Sequence, residues 1–552
     1  MHGRFLVPAA AAVALILGGS AGARSQQPAP RPNIVVIETD DQTLAEMAVL
    51  PKTRALIGAE GVTFDNNFDS FSLCCPSRAT LLTGQYSHNN GVRGNAAPQG
   101  GYYKLDSTNT LAVWLQKAGY YTAHVGKYLN QYGTRNPREI PPGWTDWHGS
   151  VDPTTYRYYG YTLNENGTLH TYCATPQPSC YQTDLYREKA VSIIDAHGAA
   201  PLFLWVAFLA NHAGGPREPD DPRGLATPVP APRYKDAFKD APLPQPPDFN
   251  EADVSDKPRV IRNRPLLTAA DIAAIRENWQ QRRETLLAVD DAVEAIVNAL
   301  RAKGQLDNTL ILFTSDNGFF HGEHRVESGK VLLYEPSIRV PLLMRWTGNR
   351  SLPRGVHRSQ LTMNVDYAET MLAAARARPE RVEDGTNLLR LWRDGGVELG
   401  RDLLIDNTPG NGHFDAIRTN HYLYAEYVNG DRELYDLRRD PYELQSEHAN
   451  PAYAALRDAL ATRLHGLVAC AGPSCRARPA ARFSLRCTGR KMHLAVAGPD
   501  ATSVAFYANG QRIATDSRRP LRVVVRRRSG TLRARVAFTF DRVATFDRRG
   551  CG

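Results

Sequence analysis

The chain has 552 residues, 42% of them hydrophobic and 22% charged, with a formal net charge of +9. That is ordinary globular composition, with length for one large domain and one or two small ones. Beyond the first thirty residues no stretch approaches the roughly 18 apolar residues of a bilayer-crossing helix, which excludes a transmembrane segment in the mature chain.

The opening segment, MHGRFLVPAAAAVALILGGSAGARSQQPAP, carries Arg4, an apolar run from Phe5 to Leu17 and an Ala21-Gly22-Ala23 cleavage pattern. It reads as a signal peptide over 1–23, cleaved near Ala23; the run is short for the alternative, an uncleaved anchor. A secreted, extracellular protein is therefore expected. PNIVVIETDD (32–41) is an apolar, β-branched run ending in two acids, the pattern of a buried parallel strand that presents carboxylates at its C-terminal end. TLAVWLQKAGYYTAHVGKYLN (110–130) predicts an amphipathic helix, a Gly stop and a strand ending at Gly126-Lys127. PLFLWVAFLANHAGG (201–215) predicts a buried strand running to His212. From 214 to 265 the chain is Pro- and Asp-rich, a long loop. A long amphipathic helix is expected over 269–303, then the strand TLILFTSDNG (309–318).

Repeated alternation of strand and helix predicts an α/β domain with a mostly parallel sheet flanked by helices. Ligands gather at the carboxyl ends of such strands. Asp40, Asp41, Lys127, His212, Asp316 and Asn317 all fall at those ends. Farther along, RTNHYLYAEYVNGDRELYDL (418–437) predicts a hairpin about Asn-Gly-Asp, part of a small antiparallel subdomain. RARPAAR (476–482) reads as a linker, and 483–552 alternates short strands with turns, an all-β module. The expected organisation is a catalytic α/β domain over 31–405, a subdomain over 406–475 and a basic β-sandwich-like module over 483–552.

Charge is uneven. Residues 483–552 hold 15 Lys and Arg against 4 Asp and Glu, a net of +11, whereas the remainder nets −2. Such a module attracts anionic polymers, which for an exported protein are glycans, wall polymers or lipid rather than specific nucleic acid; a merely solvated arginine face is the alternative. Of eight cysteines, spacing suggests bridges Cys173–Cys180, Cys470–Cys475 and Cys487–Cys551. Cys74 and Cys75 are left over, and adjacent cysteines are strained as a bridge.

Asp40-Asp41 and Asp316-Asn317 each offer two oxygen ligands at a strand end. Oxygen donors favour a hard cation, Ca²⁺ or Mg²⁺, over zinc. An Asp-Asp pair alone serves equally as a helix cap or turn, but two such pairs on one sheet point to metal. Lys127, Lys330 and His212 alone read as surface charges and a capping or core histidine. Beside a divalent cation they describe a site for a tetrahedral oxyanion such as sulfate or phosphate.

Cys74-Cys75-Pro76-Ser77-Arg78 through Leu82-Thr83-Gly84 resembles the C-x-P-S-R-x-x-x-L-T-G signature of the type I sulfatases, and VVIETDDQ, GKYLNQYG, FTSDNG and GKVLLYEPSIRVPLL extend the likeness over about 32–475. CCPSR, GKYLNQYG and the later CAGPSC look most like the N-acetylglucosamine-6-sulfatase/arylsulfatase branch. The resemblance implies the alkaline-phosphatase-like fold. It implies that a formylglycine-generating enzyme oxidises Cys74 to Cα-formylglycine, whose hydrate is the nucleophile. By the same resemblance, one Ca²⁺ (ahead of Mg²⁺) is bound by Asp40, Asp41, Asp316, Asn317 and the oxygen derived from Cys74. Arg78 holds the hydrate, Lys127 and Lys330 grip the sulfate, and His212 serves the leaving oxygen. Many sulfatases place a histidine two residues after the lysine matched by Lys127, to act as the base of the elimination step. Leu129 stands there in this chain, leaving His321 and His324 as candidate bases and His88 as a candidate pocket residue. The expected substrates are sulfate monoesters, such as 6-O-sulfated N-acetylglucosamine or aryl sulfates. The alternatives are a phosphonate monoester or phosphodiester hydrolase of the same superfamily, and a non-catalytic glycan-binding protein.

Overall fold

The computed structural model of the protein describes Gly3, residues 30–410 and residues 412–551; the expected signal peptide lies outside them apart from Gly3. Ten strands make the central sheet: β1 (Asn33–Thr39), β2 (Val62–Phe64), β3 (Tyr121–Gly126), β4 (Asp146–Ser150), β5 (Tyr161–Glu165), β6 (Thr168–Tyr172), β7 (Leu202–Ala207), β8 (Thr309–Ser315), β9 (Leu342–Arg345) and β10 (Val356–Arg358). Their spatial order is β10-β2-β9-β8-β1-β7-β3-β4-β5-β6. The middle five, β8-β1-β7-β3-β4, are mutually parallel; β9, β5 and β6 join by antiparallel pairing, as does β2 to β9, and the outermost β10 lies parallel to β2.

β1 shows why the middle forms. Ile34 and Val36 pack into one apolar layer, Val35 and Ile37 into the other, and all four are fully buried. Burial on both faces explains the unbroken apolar run; each such side chain stabilises by about 1.5–3 kcal/mol relative to exposure. The helix α1 (Cys74–Thr83) lines the first layer. Helix α2 (Gln182–Ala196) and the long helix α3 (Ala269–Ala302) line the second. α3 starts at a capping box between Thr268 and Asp271 and buries Leu286, Val289, Val293, Ile296 and Leu300, the 3.6-residue stripe expected from its sequence.

Register decides what sits at the functional edge. Thr39 pairs with Ser315, Glu38 with Ala207 and Ala207 with Gly126, so β1, β8, β7 and β3 end at nearly one level. Gly126 has φ +106°, and a Cβ there would lie 2.1 Å from the Ala207 carbonyl oxygen; only glycine permits that approach just before Lys127. One expectation is corrected. The strand at 201–215 stops at Ala207, not at His212. Past Phe208 the chain leaves the ladder, with Asp40 N–H donating to the Ala210 carbonyl and Asn211 N–H to the Asp40 carbonyl, and this loop carries His212 over the sheet edge.

After the α/β body, Leu403–Asp406, Phe414–Arg418, Tyr422–Tyr427 and Arg432–Asp436 form a four-stranded antiparallel sheet against the helix Ala454–Val468. The last two strands are the hairpin expected about Asn429-Gly430-Asp431. The C-terminal segment folds as two antiparallel sheets around their own core of Met492, Leu494, Val504, Phe506, Leu532 and Val536. Cys173–Cys180, Cys470–Cys475 and Cys487–Cys551 are bridged, and Cys74 and Cys75 are free and buried.

Candidate active site

Cys74 is the first residue of α1 and Arg78 follows one turn later, so both face the carboxyl ends of β1, β3 and β8. The Cys74 thiol lies 3.5 Å from Asp40 Oδ1 and accepts from Lys330 Nζ at 2.9 Å. Lys127 pairs with Asp40 and Lys330 with Asp41. Arg78 is fully buried: Nε donates to Asp316 Oδ2 at 2.8 Å, Nη1 to the Lys127 carbonyl at 2.9 Å, and Nη1 also lies 3.3 Å from Glu38 Oε2. Asp316 Oδ1 accepts the Asp41 N–H at 3.1 Å, and Asn317 Nδ2 donates to Asp41 Oδ1 at 2.7 Å. His212 Nε2 stands 3.7 Å from Asp41 Oδ2. Its Nδ1 sits 2.6 Å from the Ala213 carbonyl, which only accepts, so Nδ1 carries the hydrogen and Nε2 faces the cluster. Tyr156 covers both Lys127 and His212, with its ring 5.0 Å from the ammonium and 5.1 Å from the imidazole.

Burial penalises every charge here, and pairing decides which survive. Burial alone would raise Asp40, but Lys127, His212, Arg78 and Lys330 outweigh it and hold the carboxyl far below the usual range. Asp41 is held low in the same way by Lys330 and His212. Asp316 is raised by burial and by the Asp40 charge, and Glu38 is pushed up to about 8 by burial that Arg78 only partly offsets. Lys330 is raised despite its burial because the Asp41 carboxylate pairs with it. Burial pushes the Cys74 thiol up and lowers His212. An unmodified Cys74 is thus a thiol, not the thiolate that attacks in cysteine enzymes.

Donor atoms of Asp40, Asp41, Cys74 and His212 all lie within 4.8 Å of one another. Asn317 Oδ1 beside them is buried with no partner. Carboxylates plus an orphaned amide oxygen fit a hard divalent cation. Every residue expected at the site therefore converges there: Asp40, Asp41, Cys74, Arg78, Lys127, His212, Asp316, Asn317 and Lys330. The candidate bases do not. His324 donates or accepts at Glu251 Oε2, 2.6 Å away, His321 lies 3.8 Å from Glu46, and Leu129 is part of the core. His88 stacks on Tyr86 and bonds the Cys470 carbonyl at 2.9 Å, a structural role. Sequence reasoning missed Glu38, Tyr156 and Arg282, which donates to the Asp41 carbonyl. For Glu38 a signal existed: a lone acid inside the apolar run VVIETDD. Tyr156 and Arg282 carried none, because loop closure alone brings them in.

The sulfatase family model matches residues 32–377, and the N-sulphoglucosamine sulphohydrolase C-terminal model matches 322–469. The arylsulfatase of Volvox carteri is 35% identical over 516 residues, covering 84% of this chain and 78% of the relative. This chain belongs to the type I sulfatase family. Human N-acetylglucosamine-6-sulfatase is 30% identical over 512 residues, covering 84% of this sulfatase and 89% of the human protein. An extracellular sulfatase SULF-1 homolog of Drosophila melanogaster is 31% identical over 371 residues, 65% of this sulfatase and 31% of the relative. The fold is that of a protein solved with its substrate D-glucosamine-2-N,6-O-disulfate (TM-score 0.66, 24% identity, 79% and 97% coverage). It is equally that of the Agrobacterium radiobacter phosphonate monoester hydrolase (TM-score 0.63, 22% identity, 80% and 96% coverage). This sulfatase is a sulfuric ester hydrolase acting on sulfate esters. Among the described residues no helix is long and apolar enough to cross a membrane.

Proposed function

We propose that this sulfatase is a secreted, calcium-dependent enzyme that hydrolyses sulfate monoesters of the 6-O-sulfated N-acetylglucosamine or aryl type, using Cα-formylglycine made from Cys74 by a formylglycine-generating enzyme. The observation that carries this reading is Lys330 Nζ at 2.9 Å from the Cys74 sulfur, with Lys127 on the adjoining Asp40: one buried and one half-buried ammonium flank the residue whose oxidation would make a nucleophile. The similarity to the human N-acetylglucosamine-6-sulfatase and the Volvox arylsulfatase supports the substrate class. The Drosophila relative's extracellular designation supports secretion.

Asp40, Asp41, Asp316 and Asn317 would hold Ca²⁺, which when bound supplies positive charge that polarises a sulfate oxygen. Oxidised Cys74 supplies a hydrated aldehyde, one hydroxyl to attack sulfur and a second to release it. Lys127 and Lys330 bind the charged oxygens of the ester. Arg78, buried against Asp316 and Glu38, fixes the start of α1 and adds charge beneath the nucleophile. His212, with Nδ1–H committed to the Ala213 carbonyl, holds or moves a proton at Nε2 next to the leaving oxygen. Tyr156 shields Lys127 and His212 from water.

The test is the mass of the tryptic peptide 55–78 from protein secreted by its native host. A peptide lighter than the thiol form that reacts with aldehyde reagents is expected; only unmodified cysteine would overturn the nucleophile assignment.

A further inference from the structure

The basic residues of the C-terminal module are divided between its two sheets in a way composition does not reveal. The four-stranded sheet docks on the catalytic body, with a bridge between Leu399 and Ala544. Three arginines on or beside it are paired there: Arg533 with Asp394 and Asp547 at 2.7 Å, Arg535 with Glu398 at 3.0 Å, and Arg542 with Asp402 at 3.5 Å, while Arg512, Arg548 and Arg549 at its strand ends are exposed. The three-stranded sheet, Arg482–Thr488, Lys491–Ala497 and Arg522–Arg526, lies on the other side of the module's core. Phe483, Leu485, Met492, Leu494, Val496, Val523 and Val525 point into that core. Strand alternation therefore puts Arg482, Arg486, Lys491, Arg522 and Arg526 on the opposite face, and all five are exposed.

None of these five side chains has an acidic partner among the described residues. Asp516, the acid beside the sheet, accepts from the backbone N–H groups of Arg518 and Arg522 instead. The register sets the pattern. Ser484, Ala495 and Arg522 share one row; Arg486, His493 and Val524 the next; Thr488, Lys491 and Arg526 the third. Each row carries at least one fixed cation, and rows on one face are about 6.8 Å apart. A ladder of unpaired cations, mostly guanidiniums, suits a chain with regularly spaced charged oxygens, because the guanidinium fork binds sulfate in bidentate fashion. The face carries no Phe, Tyr or Trp on which nucleic-acid bases would stack, and Val524 is its only large exposed apolar side chain, too little to anchor in a lipid surface.

We propose that this three-stranded face is a second, non-catalytic binding site for a polymeric sulfated glycan, holding the polymer while the catalytic centre works on its sulfate esters. The proposal rests on the substrate class given above only for why a sulfated polymer should be present; the face and its charges stand independently of the nucleophile.

The full chain is applied to immobilised heparin and eluted with NaCl, beside a variant carrying Arg486→Gln, Lys491→Gln, Arg522→Gln and Arg526→Gln. The parent is expected to bind heparin at least tenfold more tightly than this variant and with a steeper salt dependence, while turnover of a small aryl sulfate is the same in both. Replacing Arg486, Arg522 and Arg526 by Lys should retain most of the binding, and Arg535→Gln on the docked sheet should leave it unchanged. Equal retention of parent and quadruple variant overturns the proposal. So does tighter binding of the parent to duplex DNA or to phosphatidylserine vesicles than to heparin at matched ionic strength. Loss of aryl-sulfate turnover in Cys74→Ala with heparin binding intact would separate this site from the catalytic reading.

Discussion

Arg78 Nε donates to Asp316 Oδ2 at 2.8 Å, and both side chains are sealed from solvent, 238 residues apart in the chain. This pair locks the start of α1 to the end of β8, and so fixes Cys74 over the sheet edge. A buried ion pair contributes little net stability, but breaking one leaves an unpaired buried charge. Arg78→Ala is therefore expected to destabilise the fold by about 3–5 kcal/mol and to abolish sulfate release. Arg78→Lys, which keeps charge without the three-way fork, should fold better yet remain largely inactive. Denaturant unfolding and aryl-sulfate assays of both variants check this.

Cys74 and Cys75 should separate cleanly. Cys74→Ala is expected to lose all measurable sulfate release with little change in melting temperature, because its thiol packs in a polar cluster. Cys75 is fully buried in the apolar layer under the sheet. Cys75→Ala should keep most activity and cost about 1 kcal/mol, the loss of one small buried group. Equal activity loss in both variants would contradict the assigned roles.

Chelation tests the ion. With Asp40, Asp41 and Asn317 converging, removal of Ca²⁺ by EGTA is expected to abolish activity and lower the melting temperature. Restoring Ca²⁺ at a hundred times its Kd should return about 2.7 kcal/mol of stability. Asn317→Ala should weaken Ca²⁺ binding, read by calorimetry, and also lower the apo melting temperature, because it removes the buried donor to Asp41 Oδ1 at a cost of about 1–3 kcal/mol.

Stability should also depend on Glu284, on the inner face of α3. Burial raises its carboxyl to about 7, partly countered by the Phe238 N–H that it accepts at 2.9 Å. A carboxyl raised in the folded state binds its proton more tightly there than when unfolded. Its stabilising effect is therefore complete below about pH 4.5 and is lost as pH rises through about 7. Glu284→Gln is expected to flatten this fall, on the order of 2 kcal/mol, in urea midpoints measured from pH 4 to 8.

The Cys487–Cys551 bridge closes a loop of 64 residues around the C-terminal module. The chain-entropy argument gives about 4 kcal/mol for a loop of that length. Cys487→Ser with Cys551→Ser should lower the module's own unfolding transition in calorimetry and leave small-substrate turnover intact. Loss of the short Cys470–Cys475 loop should matter less to chain entropy.

Much of this molecule was legible in its residues. β1 and α3 declare themselves because burial on two faces, or on one helical stripe, writes a period into the sequence. The carboxylates at strand ends are legible for the same reason, since each immediately follows such a run. Partner choice was less legible. That Asp316 engages Arg78 while Asn317 is left with an unpartnered oxygen depends on the register of β8 against β1, which no local pattern carries. His212 was placed at a strand end but reaches the cluster from a loop, because the ladder ends five residues earlier.

The same division holds for the CC pair in FSLCCPSRATLLTG. The residues alone suggested, from spacing, that the two cysteines stand outside three bridges, and the resemblance to the sulfatase signature put Cys74 at its modified position; the structure bears out the bridges. Only the tertiary structure decided what surrounds each thiol. The helical turn points Cys74 at Asp40 and Lys330, contributed by chain segments 34 and 256 residues away, and turns Cys75 into the apolar layer. Adjacent positions on a helix are about 100° apart, so one peptide bond separates a polar site from a hydrophobic core.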